Sequence, residues 1–115
     1  MRYFKSEHLF ILGLYKTAKE RKSCKDTSIM DQGKSNYIYN SITTPKECKT
    51  AQEILQKTNR NFKDSKFLSA EGNDFDLPHG CIYDTTNGNY VYWNAKGETE
   101  SHDGRIRPIC KRQGE

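Results

Sequence analysis

Residues Cys81 to Asn94 read CIYDTTNGNYVYWN, and this stretch decides the fold. Two short runs of aromatic and β-branched residues flank Asn87-Gly88, a dipeptide that tolerates the positive φ angles of a two-residue type I′ turn, so the segment predicts a β-hairpin. With Asn87 and Gly88 at the tip, Tyr83 opposes Tyr92 and Cys81 opposes Asn94 on one face. Ile82 then opposes Trp93, and Asp84 opposes Val91, on the other. The face carrying Cys81 is expected to meet a helix.

That helix is announced upstream. Thr44-Pro45-Lys46-Glu47 supplies an N-cap hydroxyl, a proline at the first helical position, where its missing N–H costs nothing, and a glutamate three residues on that can bond back to the cap. A helix over about 45 to 57 follows. Cys48, Ala51 and Leu55, with Ile54 beside them, form its packing stripe, while Lys49, Gln52, Glu53 and Gln56 face water. Residues 37–42 read as a short strand, 58–63 as a polar link and Lys66 to Ser69 as another strand. Residues 23–36, 71–79 and 95–104 read as polar loops. Arg105 to Cys110 reads as a terminal edge strand, because Pro108 lacks the N–H that a central ladder needs.

Only 33% of the 115 residues are hydrophobic, while seven tyrosines and five phenylalanines supply much of what can be buried. Backbone ordering alone opposes folding by roughly 1 to 2 kcal/mol per residue, so a chain this polar needs help from cross-links. Four cysteines, Cys24, Cys48, Cys81 and Cys110, are spread almost evenly with no C-x-x-C pair, which points to two disulfides and away from zinc. Four cysteines allow three pairings. A staple from helix to hairpin favours Cys48 with Cys81, which leaves Cys24 with Cys110 to tie the two ends; the other two pairings stay open at this level. Disulfides imply an oxidising compartment, and the expected location is extracellular, on a cell surface or on a virion.

Leu9 to Tyr15 (LFILGLY) is too short to span a bilayer, and its flanking Glu7, His8 and Lys16 make a poor export signal. Residues 1–22 are expected to form an apolar and basic segment, an assembly arm or a signal segment, ahead of a stapled α+β domain over residues 23–115. The formal charge is +4. Positive residues gather at Lys16, Lys19, Arg21, Lys22 and Lys25, and again at Arg105, Arg107, Lys111 and Arg112. Such clusters attract phosphate or sulfated polymers, but an ordinary solvated face with Glu20 and Asp26 interspersed is the favoured reading, and without an accompanying nucleic-acid motif no nucleic-acid partner is expected.

Catalytic constellations are scarce. His79 with Cys81, or His102 with Cys110, would form a thiol-imidazole pair only if those cysteines were free thiolates. Glu71 to Asp76 lacks the ligand spacing of a calcium loop, and Glu98, Glu100 and Asp103 carry no glycosidase motif. No catalytic residue, metal site or cofactor is expected. Tyr83, Tyr90, Tyr92, Trp93 and Asn94 are the candidate ligand-binding residues, since exposed rings beside amide side chains can stack on sugars or anchor a protein interface. No N-x-[ST] glycosylation sequon occurs.

Ile42-Thr43-Thr44-Pro45-Lys46-Glu47-Cys48 with Ala51, then Pro78-His79-Gly80-Cys81, Tyr92-Trp93-Asn94 and Ile109-Cys110-Lys111, form a pattern that resembles a four-cysteine domain of secreted or cell-surface proteins of microalgae and other protists. Position 79 departs from it, with histidine where proline is commoner. The resemblance implies an extracellular module without an assigned catalytic activity, of a kind that a virus of such a host would carry in its particle. Trp93-Asn94 and Ile109-Cys110-Lys111 are also similar to the end of C-type lectin domains. The W-I-G-L core and the calcium-binding triplets of those domains are missing, so no calcium-dependent sugar site is carried over.

The expectation is thus one capped helix on a small antiparallel sheet with two disulfides, serving as a non-enzymatic structural or assembly component whose partners are other protein chains. The alternative is a lectin-like module that binds a carbohydrate or glycoprotein.

Overall fold

A computed structural model describes residues 13–26, 38–97 and 103–113. It is an α+β domain: among the described residues one main helix lies on a curled, mostly antiparallel six-stranded sheet, and two disulfides join the parts. The elements are β1 (Tyr15–Thr17), β2 (Tyr39–Ser41), α1 (Pro45–Thr58), a 3₁₀ turn (Arg60–Phe62), β3 (Lys66–Phe67), β4 (Gly80–Asp84), β5 (Tyr90–Asn94) and β6 (Ile106–Arg112). Strand order is β1-β6-β4-β5-β3, with β2 also paired to β6.

The hairpin forms, but its register differs by one residue from the expected one. Cys81 pairs with Trp93, Ile82 with Tyr92, Tyr83 with Val91 and Asp84 with Tyr90. The connection is five residues long, because Asp84 ends β4 by turning its carboxylate onto the amide and hydroxyl of Thr86, at 2.9 and 2.6 Å. Gly88, at φ 106°, takes the left-handed position, with the Tyr90 ring packed close over it. A one-residue change reassigns side chains between faces. Cys81, Tyr83, Val91 and Trp93 therefore share the face under α1, while Tyr92 and Asn94 go to the opposite one.

Helix α1 starts as its sequence predicts, the amide of Glu47 donating to the Thr44 hydroxyl at 3.1 Å. The Glu47 carboxylate does not return to the cap. It accepts instead from the Tyr15 hydroxyl at 2.9 Å and pairs with Lys111 at 2.8 Å, two partners that β1 and β6 deliver from distant sequence. Cys48, Ala51 and Leu55 face the sheet as expected, and Gln52 joins them at 5% exposure instead of facing water. Its amide donates to the carbonyl and the hydroxyl of Ser65, which satisfies a buried polar group. The link after α1 is not a plain polar connector. Its 3₁₀ turn buries Phe62, whose ring stacks on Tyr83 at 4.1 Å.

The largest correction concerns the last strand. β6 is the hub of the sheet and not its edge. Its first half pairs with β4, and its second half lies between β1 and β2. Pro108 is tolerated there because its missing N–H faces the β1 side, where its carbonyl accepts from Ala18 at 2.9 Å and the ladder then ends. Opposite β4, it sits across from Ile82.

β1 shows that the described part of segment 1–22 is woven into the sheet, with Tyr15 in the main core and Ala18 in a second cluster with Cys24, Tyr39 and Cys110. The stapled domain therefore takes in residues expected to belong to the arm; residues 1–12 lie outside the described residues. Within the expected loop at 23–36, residues 24–26 are helical. Ser23 and Asp26 form a reciprocal cap, amide to hydroxyl at 3.2 Å and amide to carboxylate at 3.3 Å. Both disulfides have the favoured pairing, Cys48 with Cys81 and Cys24 with Cys110. β3 is the exception to an antiparallel sheet, since it runs parallel to β5.

Candidate functional site

α1 covers one part of its sheet face. The uncovered part is a cleft of about 640 Å³, lined by side chains from four separate stretches of chain. Thr17, Glu20 and Arg21 come from β1 and the turn after it; Asn59, Asn61 and Phe62 from the C-cap of α1 and the 3₁₀ turn; Tyr83, Thr85 and Asn89 from the hairpin; Asp103, Gly104, Arg105 and Arg107 from the approach to β6 and its first residues. The volume is that of a small-molecule site, and the lining is more polar than apolar.

Two basic clusters far apart in sequence meet here because β1 pairs with β6 and Cys24 is bonded to Cys110. The members of those clusters divide by role. Lys111 pairs with Glu47, and Lys16 lies over the Tyr39 ring at 5.0 Å. Arg21, Arg105 and Arg107 line the cleft. Arg105 grips both oxygens of Asp103, at 3.1 and 2.9 Å, which holds the Asp103 carboxyl down at about 2. Arg107 donates to the Gly104 carbonyl at 3.0 Å and lies 3.8 Å from Glu20. Gly104 permits this arrangement, because a Cβ there would fall 2.4 Å from the Glu20 side chain.

Arg21 differs from the other two arginines. Its guanidinium makes no hydrogen bond or ion pair among the described residues. Its backbone, at φ 60°, is the one non-glycine positive φ among them. It sits in a turn closed by the Lys22 amide donating to the Lys19 carbonyl at 2.9 Å. Left-handed backbone destabilises an L-residue by roughly 1 to 2 kcal/mol, and such strain gathers where function requires it. The side chains of Thr17, Asn61 and Asn89 likewise make no hydrogen bond among the described residues and are free to meet a ligand.

The residues singled out from sequence are dispersed. Of Tyr83, Tyr90, Tyr92, Trp93 and Asn94, Tyr83 alone lines the cleft; it is buried, and its hydroxyl donates to the Asn61 carbonyl at 2.8 Å. Trp93 is buried in the core with its ring edge-on to His79 at 5.6 Å. Asn94, at 0% exposure, is a structural clasp. Its amide donates to the carbonyls of Asp74 (2.8 Å), Pro78 (3.0 Å) and Lys96, while its oxygen accepts from the Asp74 amide at 3.0 Å. These bonds pin the 71–79 loop to β5. Tyr90 and Tyr92 lie half-exposed on the opposite face, where the Tyr92 hydroxyl donates to Asp84 at 2.8 Å. Burial and that carboxylate both push the Tyr92 phenol upward.

No family model matches the sequence, and neither the curated proteins nor the solved structures provide a match. The cleft is thus read from its own chemistry. Among the described residues no group of three or more metal-ligating side chains gathers, and no helix is long and apolar enough to cross a membrane. Glu98, Glu100 and His102 lie outside the described residues. Sequence reasoning missed the cleft because its polar residues have no common spacing; the signal available was the pair of basic clusters flanking Cys24 and Cys110.

Proposed function

We propose that this protein is a disulfide-stapled recognition module that holds a saccharide in the polar cleft without transforming it. The observation that carries the reading is a set of solvent-facing planar and hydroxyl groups, Asn61, Asn89, Thr17 and Arg21, whose side chains make no hydrogen bond among the described residues and which line one cavity of about 640 Å³. Amide and guanidinium groups offer paired hydrogen bonds that suit vicinal hydroxyls, and a lining poor in apolar surface disfavours a hydrophobic ligand. A binding role fits the electrostatics better than catalysis does. Asp103 is held ionised by Arg105, far from the raised value that a general acid needs. The two disulfides are compatible with an extracellular setting.

Glycan-array screening followed by calorimetry tests the proposal. Binding is expected to weaken at least about tenfold in the Asn61→Ala/Asn89→Ala variant, with little change in melting temperature. Absence of any saccharide ligand, or full affinity in that variant, would sink the proposal. A second reading, the structural component of an extracellular or particle assembly, is favoured by Phe75, a large ring 71% exposed on the 71–79 loop. Full-length protein that remains strictly monomeric in light scattering at high concentration would count against it.

A further inference from the structure

We infer that the saccharide is acidic, carrying a sulfate ester or a carboxylate, and that Arg21 is the residue that selects it. The inference rests on the reading of the cleft as a saccharide site and adds the ligand's charge.

The charges in the cleft do not cancel. Asp103 is taken up by Arg105, and Glu20 faces Arg107, so each carboxylate already has a guanidinium. Arg21 is the surplus cation, and its charge extends to Asp103 across the cleft. A guanidinium that makes no hydrogen bond or ion pair among the described residues, on a backbone held in the left-handed region, is poised for a ligand. Two oxygens of a sulfate or carboxylate match its forked donors, which a neutral hydroxyl cannot do. Lys19 and Lys22, exposed and without ion pairs among the described residues, flank Arg21 and extend the positive field toward solvent.

A single-stranded nucleic acid would use the same charge, but its binding also draws on exposed rings for base stacking. Phe62 and Tyr83, the aromatic residues of the cleft, are buried and stacked on each other. Besides Arg21 and the paired charges of Glu20, Asp103, Arg105 and Arg107, the cleft offers amides and hydroxyls, the partners of sugar hydroxyl groups.

Calorimetry on the disulfide-intact full chain tests this with a heparin-derived tetrasaccharide, its desulfated, N-acetylated and carboxyl-reduced and hence uncharged counterpart, an oligogalacturonate and a single-stranded oligonucleotide. The sulfated or uronate ligand is expected to bind at least about tenfold more tightly than the desulfated one, and to weaken as salt is raised. Arg21→Gly should remove that difference without lowering the melting temperature, because glycine accepts the left-handed backbone. Lys22→Ala should leave affinity within about twofold, since its charge lies outside the cleft. Equal binding of the desulfated ligand, equal losses in Arg21→Gly and Lys22→Ala, or tighter binding of the oligonucleotide would each overturn the inference. Equal binding of the desulfated ligand would leave the saccharide reading standing, whereas no binding of any saccharide would remove both.

Discussion

Asn94 shows how one side chain can replace a secondary-structure element. The 71–79 loop has few backbone partners of its own, and the Asn94 amide gathers the carbonyls of Asp74, Pro78 and Lys96. Asn94→Ala would strand several of these groups, so it should destabilise by about 3 kcal/mol in urea unfolding. Glu47 offers a second test at this scale. Burial pushes its carboxyl up, but bonds from Lys111 and Tyr15 outweigh that and hold it below its ordinary 4.5. A depressed carboxylate stabilises the fold above its unfolded pKa and loses that contribution as pH falls through the folded value. The gap in urea midpoint between the native chain and Glu47→Gln is therefore expected to be constant above about pH 6 and to close below about pH 4.5.

Individual elements follow local rules until a neighbour intervenes. α1 begins where Thr44 and Pro45 require, and Thr44→Ala should reduce stability by about 1 kcal/mol. The polar face of α1 was legible except at Gln52, which reads as solvent-facing by helical periodicity and is buried because Ser65 returns to meet it. β6 is a stronger case. Pro108 points to an edge strand, whereas β6 is central; its missing N–H falls on the side where the ladder with β1 ends, which sequence does not reveal. The hairpin was visible as a hairpin, while its register was set by the Asp84 carboxylate closing a five-residue connection. At the far end of β5, Gly97 has φ 116° and a Cβ there would lie 1.9 Å from the Leu77 carbonyl. Gly97→Ala should thus cost more than about 1 kcal/mol and free the 71–79 loop, measurable as faster amide exchange in that loop.

Across the molecule, cross-links and charge converge on the same place. The Cys24–Cys110 bond closes a sequence separation of 86, and Cys48–Cys81 one of 33. In the chain-entropy account these contribute roughly 4 to 5 and 3 to 4 kcal/mol, amounts comparable to the net stability of a small domain. The Cys24→Ser/Cys110→Ser variant should unfold at markedly lower urea concentration. It should also bind its ligand more weakly, because β1 and the Arg21 turn lose their anchor to β6. The sequence by itself determined the helix and its N-cap, the presence of the hairpin and the need for disulfides, since these depend on neighbouring residues or on simple counting; it left three cysteine pairings open, and the fold settled which one forms. Tertiary structure alone decided the strand order, the central place of β6, the burial of Trp93 and Asn94, and the cleft. Each of those depends on which distant segments pair, and a one-residue shift in pairing is enough to move a side chain from surface to core.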